Sequence, residues 1–160
     1  RVRRDPFGGA LYDIGCYCTS LTQWLLEEDP VSVDAAAEFT DQHIDIQTTA
    51  IMKYPSGARA SICCGMCLGG ESNRIARFSI CGSKGMISST VMFNAEGDLE
   101  YTVVADGKTE VKTVATPDNY GLEIEQFGRC INDGETPFVS NEFTIMNAKV
   151  VGKIHKIIGY

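Results

Sequence analysis

The residues with the clearest chemical potential lie in one short stretch, Phe7 to Cys18, which reads F-G-G-A-L-Y-D-I-G-C-Y-C. Asp13 and Tyr17 stand one turn apart, a spacing that puts a carboxylate and a phenol on the same side of a helix. Gly8 and Gly9 precede them and bare the backbone where such a helix would begin. A carboxylate and a phenol held together near the positive end of a helix form a proton-handling pair, because the terminus favours an oxyanion or an ionised phenol close by. The same spacing also describes an ordinary amphipathic helix, with Asp13 solvated and Tyr17 half-buried. Spacing alone does not choose between the two.

Other candidates are more isolated. Arg4, just before the glycines, is placed to hold a phosphate or a sugar hydroxyl, or is simply solvated. Tyr120 reaches a substrate if its helix begins at a cleft, and is core if it belongs with Ile124 and Phe127. Tyr12 and Trp24 offer an apolar wall or plain core. His155, between Lys153 and Lys156, and His43, at a strand start, read as solvated surface histidines. Seven cysteines raise a thiol-metal possibility: Cys64 and Cys67 have C-x-x-C spacing, and Cys16 and Cys18 complete four thiolates. Zinc ligands, however, favour turns, whereas Cys63 to Cys67 continues a strand-like run. The expectation is therefore reduced thiols with no metal site, in a cytoplasmic setting.

The elements that must position these residues follow from periodicity. A helix is predicted from the glycines to about Glu28, with Ile14, Cys18, Leu21 and Leu25 as its core stripe and Asp13, Tyr17, Ser20 and Trp24 beside it. From Val31 to about Thr116 the pattern is that of strands, roughly six to eight and mainly antiparallel. Ile44, Ile46, Thr48, Ala50, Met52 and Tyr54 alternate with more polar neighbours, with Ile51 an exception. Pro55-Ser56-Gly57 turns the chain into a partner strand through Ala58, Ala60, Ile62, Cys64 and Met66. Asp106-Gly107 marks a second hairpin. Small or apolar residues on both faces of these strands imply that helices cover one face and another domain or a second copy covers the other. Two helices close the chain, one capped at Pro117-Asp118-Asn119 with a Tyr120, Ile124, Phe127, Ile131 stripe, the other carrying Met146, Val150, Ile154 and Ile157.

Bulk properties narrow the partners. At 160 residues, 44% hydrophobic and 22% charged, the chain has the composition of one soluble globular domain. A net charge of -7 argues against nucleic acid or an anionic membrane, and no apolar run approaches the roughly 20 residues of a membrane span. The chain opens Arg-Val-Arg-Arg without an initiator methionine, which points to a piece of a longer protein.

The order of the first motif resembles the start of the second domain in the glucose-fructose oxidoreductase, inositol dehydrogenase and rhizopine catabolism family. That family's motif is G-G-G-x-x-x-D-x-G-x-(H or Y), and this chain supplies Gly8, Gly9, Asp13, Gly15 and Tyr17, with Phe7 in place of the first glycine. Tyrosine rather than histidine, followed by Cys18, is similar to the glucose-fructose oxidoreductase and dihydrodiol dehydrogenase branch. Asn119 to Phe127 is similar to the family's late helix, so the resemblance covers nearly the whole chain. It implies an α+β fold over residues 1–160, with an open, mainly antiparallel or mixed sheet and helices packed on one face. That is the arrangement of a glyceraldehyde-3-phosphate dehydrogenase-like C-terminal domain, and it implies a homo-dimer or homo-tetramer formed through the open face.

The resemblance further implies an oxidoreductase acting on a sugar, polyol or cyclic diol with NAD or NADP. Tyr17 would then exchange the hydroxyl proton and Asp13 would orient the neighbouring hydroxyl, and Gly8 and Gly9 would approach the cofactor; Arg4 and Tyr120 are further substrate-contact candidates from their positions rather than from the resemblance. A phenol with a reference pKa near 10 needs a cation or helix terminus to serve as a base at neutral pH. The family's lysine and its dinucleotide-binding glycines belong to a preceding Rossmann domain. No G-x-G-x-x-G after a strand occurs here, so this chain alone is expected to be inactive. The competing reading is a non-catalytic scaffold for oligomerisation or protein binding.

Overall fold

The computed structural model describes residues 8–66, 75–90 and 97–159. The chain divides into two compact units, Arg1–Gly70 with Val139–Tyr160, and Glu71–Phe138. The α+β class and the antiparallel strands are as expected, and the strands are shared between two separate sheets.

In the first unit a π-helical turn, Leu11–Gly15, runs into α1 (Cys16–Leu26), followed by β1 (Ser32–Phe39), β2 (Asp45–Lys53) and β3 (Arg59–Gly65). The unit closes with α3 (Asn141–Ile158). The sheet order is β1-β2-β3, antiparallel throughout. The β2–β3 hairpin turns at Pro55-Ser56-Gly57, as its turn chemistry predicts, with Ala50 opposite Ile62 and Thr48 opposite Cys64. The alternation also holds: Thr48, Ala50, Met52, Ile62 and Cys64 are buried, while Thr49, Ile51, Ser61 and Cys63 are exposed. Leu11, Val150, Val151 and Ile154 pack on the buried face, so the helices cover one side of this sheet. The other side is open.

Hydrogen bonds at His43 and Lys153 help tie down the C-terminal half of α3. His43, in a left-handed conformation (φ 58°), stacks on Phe39 and bonds through Nε2 to the Gly159 carbonyl at 2.9 Å. Lys153 Nζ donates to the Pro30 carbonyl at 3.3 Å. His43 is thus an exposed residue, as expected, with a clasping role as well.

The second unit holds β4 (Phe78–Gly82), β5 (Gly85–Ser89), β6 (Asp98–Ala105), β7 (Lys108–Ala115) and α2 (Asn119–Asp133), with sheet order β4-β5-β6-β7. The β6–β7 hairpin turns at Asp106-Gly107, where both residues take positive φ, as a tight turn of the primed type demands. Asp118 caps α2 by accepting from the Gly121 amide at 3.0 Å. The stripe of α2, however, is not core: Tyr120, Ile124, Phe127 and Ile131 are 62%, 74%, 68% and 66% exposed. Amphipathic spacing reports that a face needs a partner, and among the described residues α2 lays no extended contact on the sheet of its own unit. No described helix is long and apolar enough to cross a membrane.

Candidate active site at the start of the first helix

The helix that carries Asp13 and Tyr17 begins on an unusual backbone. Gly8, Gly9 and Ala10 are buried, and Gly9 has φ +118°, a conformation L side chains rarely adopt. A Cβ at Gly9 would collide with Asp45 Oδ1, so this glycine serves a close approach to β2. Gly15 serves another: a Cβ there would lie 2.7 Å from Leu11 Cδ1 and 2.8 Å from Cys64 Sγ. The motif glycines thus seat the helix against the sheet.

Between them the chain forms the π-helical turn, with the Cys16 amide donating back to the Leu11 carbonyl. Such i→i+5 insertions occur disproportionately at functional sites. Asp45, fully buried on β2, holds the beginning of the turn. Its Oδ2 accepts from the Leu11 amide and from Thr48 Oγ1, both at 2.8 Å. On the far side Asn147 Nδ2, from α3, donates to the Cys16 carbonyl at 3.2 Å. Asp45 and Asn147 escaped the sequence reading because each contact spans distant parts of the chain.

The buried stripe of this helix is Leu11, Gly15, Thr19 and Gln23 rather than Ile14, Cys18, Leu21 and Leu25. Hydrophobic spacing missed it because Gly15 is small and Thr19 and Gln23 are polar, each of the two holding one side-chain hydrogen bond inside. Thr19 Oγ1 donates to the Cys16 carbonyl, and Gln23 Oε1 accepts from the buried Tyr54 hydroxyl at 3.0 Å. Asp13 is left half-buried and Tyr17 is 49% exposed, so the phenol is reachable from solvent while its helix is anchored. Trp24 is 57% exposed, and Tyr12 packs inward instead, its ring 4.1 Å from that of His155.

His155 itself corrects the expectation of a surface residue, being only 6% exposed. Its place four residues after Val151 puts it on the inner face of α3 despite flanking lysines. Of the residues singled out from sequence, Gly8, Gly9, Asp13 and Tyr17 come together on this one helix start. Tyr120 opens α2 in the other unit, and Arg4 and Phe7 lie outside the described residues.

The thiols near the helix are structural in character. Burial pushes the Cys64 thiol up to about 12. Burial likewise raises Cys18, and it raises Cys16 against a backbone bond at Tyr17, with the charge of Asp13 adding to the rise. A thiol must be deprotonated to bind metal or attack, and these environments favour the proton. Among the described residues no group of three or more His, Cys, Asp or Glu side chains converges as a metal site. Cys67 lies outside them.

Comparison with known proteins places the chain. A family profile described as the GFO/IDH/MocA C-terminal domain matches residues 1–88. The D-xylose 1-dehydrogenase (NADP(+)) 2 of Haloferax volcanii is 24% identical over 158 residues, covering 98% of this chain and 47% of that protein. The trans-1,2-dihydrobenzene-1,2-diol dehydrogenase of Xenopus laevis is 28% identical over 171 residues, covering 99% and 49%. The chain thus spans about half the length of these relatives. Among solved structures, KijD10, a 3-ketoreductase from Actinomadura kijaniata in complex with TDP-benzene and NADP, superposes with a TM-score of 0.81 at 20% identity. It covers 94% of this chain and 48% of that one. UDP-N-acetylglucosamine 3-dehydrogenase GnnA from Acidithiobacillus ferrooxidans superposes with a TM-score of 0.79 at 17% identity, covering 93% and 46%. The fold is shared with both, and with a profile match over more than half its length the chain belongs to the GFO/IDH/MocA C-terminal domain family.

Proposed function

We propose that this chain is the substrate-binding and oligomerisation domain of a longer NAD(P)-dependent oxidoreductase that oxidises a sugar, polyol or cyclic diol. The observation that carries the reading is the anchored helix start, which leaves Asp13 half-buried and Tyr17 half-exposed within one turn of each other. The relatives named as acting on D-xylose and on a dihydrobenzenediol support the substrate class. The family assignment supports a nicotinamide cofactor, bound mainly by a Rossmann domain outside this chain and approached here by Gly8 and Gly9. The net charge of -7 supports a reading without nucleic-acid or anionic-membrane partners, and the enzyme is placed in the cytoplasm in this proposal.

Bound NAD(P) supplies the acceptor for the hydride. The residues of this chain handle the proton. Tyr17 Oη takes the proton of the reacting hydroxyl, and in the reverse direction returns it to the forming alkoxide. Asp13 accepts a hydrogen bond from the neighbouring hydroxyl and so fixes which carbon faces the cofactor. In this reading Arg4 contributes a further substrate contact.

The test is turnover by the full-length enzyme with D-xylose, polyols and trans-1,2-dihydrobenzene-1,2-diol, each with NAD and NADP, followed at the reduced-nicotinamide absorbance. A general acid–base contributes roughly 100- to 10,000-fold, so Tyr17→Phe is expected to lower kcat by that much while cofactor binding persists. Full turnover in Tyr17→Phe would remove Tyr17 from proton transfer. A stable, cofactor-binding oligomer with no turnover would favour the scaffold role.

A further inference from the structure

Asp45 occupies a position that a regular strand would not give it. The inward face of β2 runs through Thr48, Ala50 and Met52, so unbroken alternation would turn Asp45 outward with Thr49, Ile51 and Lys53. A bulge intervenes. Glu38 pairs with Gln47, but the next residue, Phe39, pairs with Asp45, leaving Ile46 as the extra residue. Bulges of this kind re-aim side chains, and this one reverses the alternation so that a carboxylate enters the core.

Once inside, Asp45 is fully buried. Its Oδ2 takes the Leu11 amide and the Thr48 hydroxyl, and its Oδ1 has no hydrogen-bond partner among the described residues and lies against Gly9. Burying a carboxylate with one oxygen unsatisfied is unfavourable, and a neutral acceptor would satisfy the two donors at less expense. What the charge adds is strength: a charge-assisted bond is roughly twice as strong as a neutral one. The bond falls on the Leu11 amide, in the first turn of a helix, where amides have no acceptor within the helix itself. Asp13 follows two residues later, and Tyr17 six.

We infer that Asp45 is the positioning residue of the Asp13–Tyr17 site. It acts through the Leu11 amide, fixing the rotation of the π-helical turn and, through α1, the direction of the phenol. The inference rests on the proton-transfer reading given above.

The experiment uses the full-length enzyme carrying Asp45→Asn, Asp45→Ala, Thr48→Val or Tyr17→Phe. Amide hydrogen–deuterium exchange, which needs neither substrate nor cofactor, is read alongside kcat and KM for D-xylose with NADP. Misplacement by about 1 Å can lower a rate about 100-fold, so Asp45→Ala is expected to lose about that much in kcat and Asp45→Asn about tenfold, with KM within about twofold. Exchange should rise about tenfold in the peptide covering 9–17 in Asp45→Asn, and not in β3 or α3. Thr48→Val keeps the bond to Leu11 and should leave kcat within about twofold. If Asp45→Ala does not fold, Asp45→Asn and Thr48→Val decide. Unchanged exchange at 9–17, or a rise shared equally with β3 and α3, would make Asp45 a core residue only and overturn the inference. So would loosened exchange with normal kcat while Tyr17→Phe is inactive. Full turnover in Tyr17→Phe overturns the proton-transfer reading itself.

Discussion

His155 sits beneath the candidate site with its ring against Tyr12, close enough to Asp45 to feel its charge. Burial pushes its imidazole below the usual range, and the Asp45 carboxylate opposes this without cancelling it. The unfolded chain, with a histidine near 6.5, therefore binds more protons than the native state between the two values, and stability rises with pH across that window. The contribution is intact above the unfolded value and is lost as pH falls through the native one. Thermal melting is expected at a lower temperature at about pH 5.5 than at about pH 7.5, and His155→Gln should reduce that difference. Equal acid sensitivity in the variant would assign the effect to another group. Single residues such as this one were the least legible from sequence. Lys153 and Lys156 made His155 look solvated, and the parity of β2 made Asp45 look outward. Both errors come from reading a residue by its neighbours in the chain when its environment is set by contacts across the fold. The one-turn spacing of Asp13 and Tyr17 on a helix was legible because their relation is local.

Among the elements, those whose burial follows simple periodicity were read well. The β2–β3 hairpin, the β6–β7 hairpin and the inner stripe of α3 through Val150 and Ile154 fall where alternation and turn chemistry put them. The site helix was read in length but not in face, because Thr19 and Gln23 are buried for their hydrogen bonds and Gly15 for its lack of a side chain. The bulge in β2 has no hydrophobic signature at all. Caps, by contrast, are written in single residues. Ser140 Oγ accepts from the Phe143 amide at 3.1 Å at the start of α3, the helix that supplies Val150, Val151 and Ile154 to the core. Ser140→Ala is expected to destabilise the first unit by about 1 kcal/mol, read as a lower urea midpoint at unchanged slope. Turnover per folded enzyme should be unaffected, since Asn147 and Asp45 still grip the site turn. A loss of kcat would mean that the start of α3 shapes the site directly.

For the whole molecule, the remaining question is what covers the open face of the first sheet. Register places Ala36, Thr49 and Cys63 side by side there, and Asp34, Ile51 and Ser61 in the next row. Ile51, the one apolar residue that broke the alternation, is 50% exposed on this face. The residues around it are mostly small, which lets a second sheet approach closely, and helices already occupy the opposite side. Two copies each carrying a net charge of -7 repel one another, so association must come from apolar burial rather than from general attraction. If the proposed dimer or tetramer uses this face, Ile51→Glu places a carboxylate beside Asp34 and against the partner's matching surface. Sedimentation of the full-length variant is then expected to give a smaller assembly than the parent, and Cys63, shielded in the assembly, should alkylate faster. Unchanged mass and unchanged Cys63 reactivity would move the contact elsewhere. The exposed Ile124 and Phe127 of α2 would then be the next residues to replace, because they form the other apolar surface whose spacing calls for a partner.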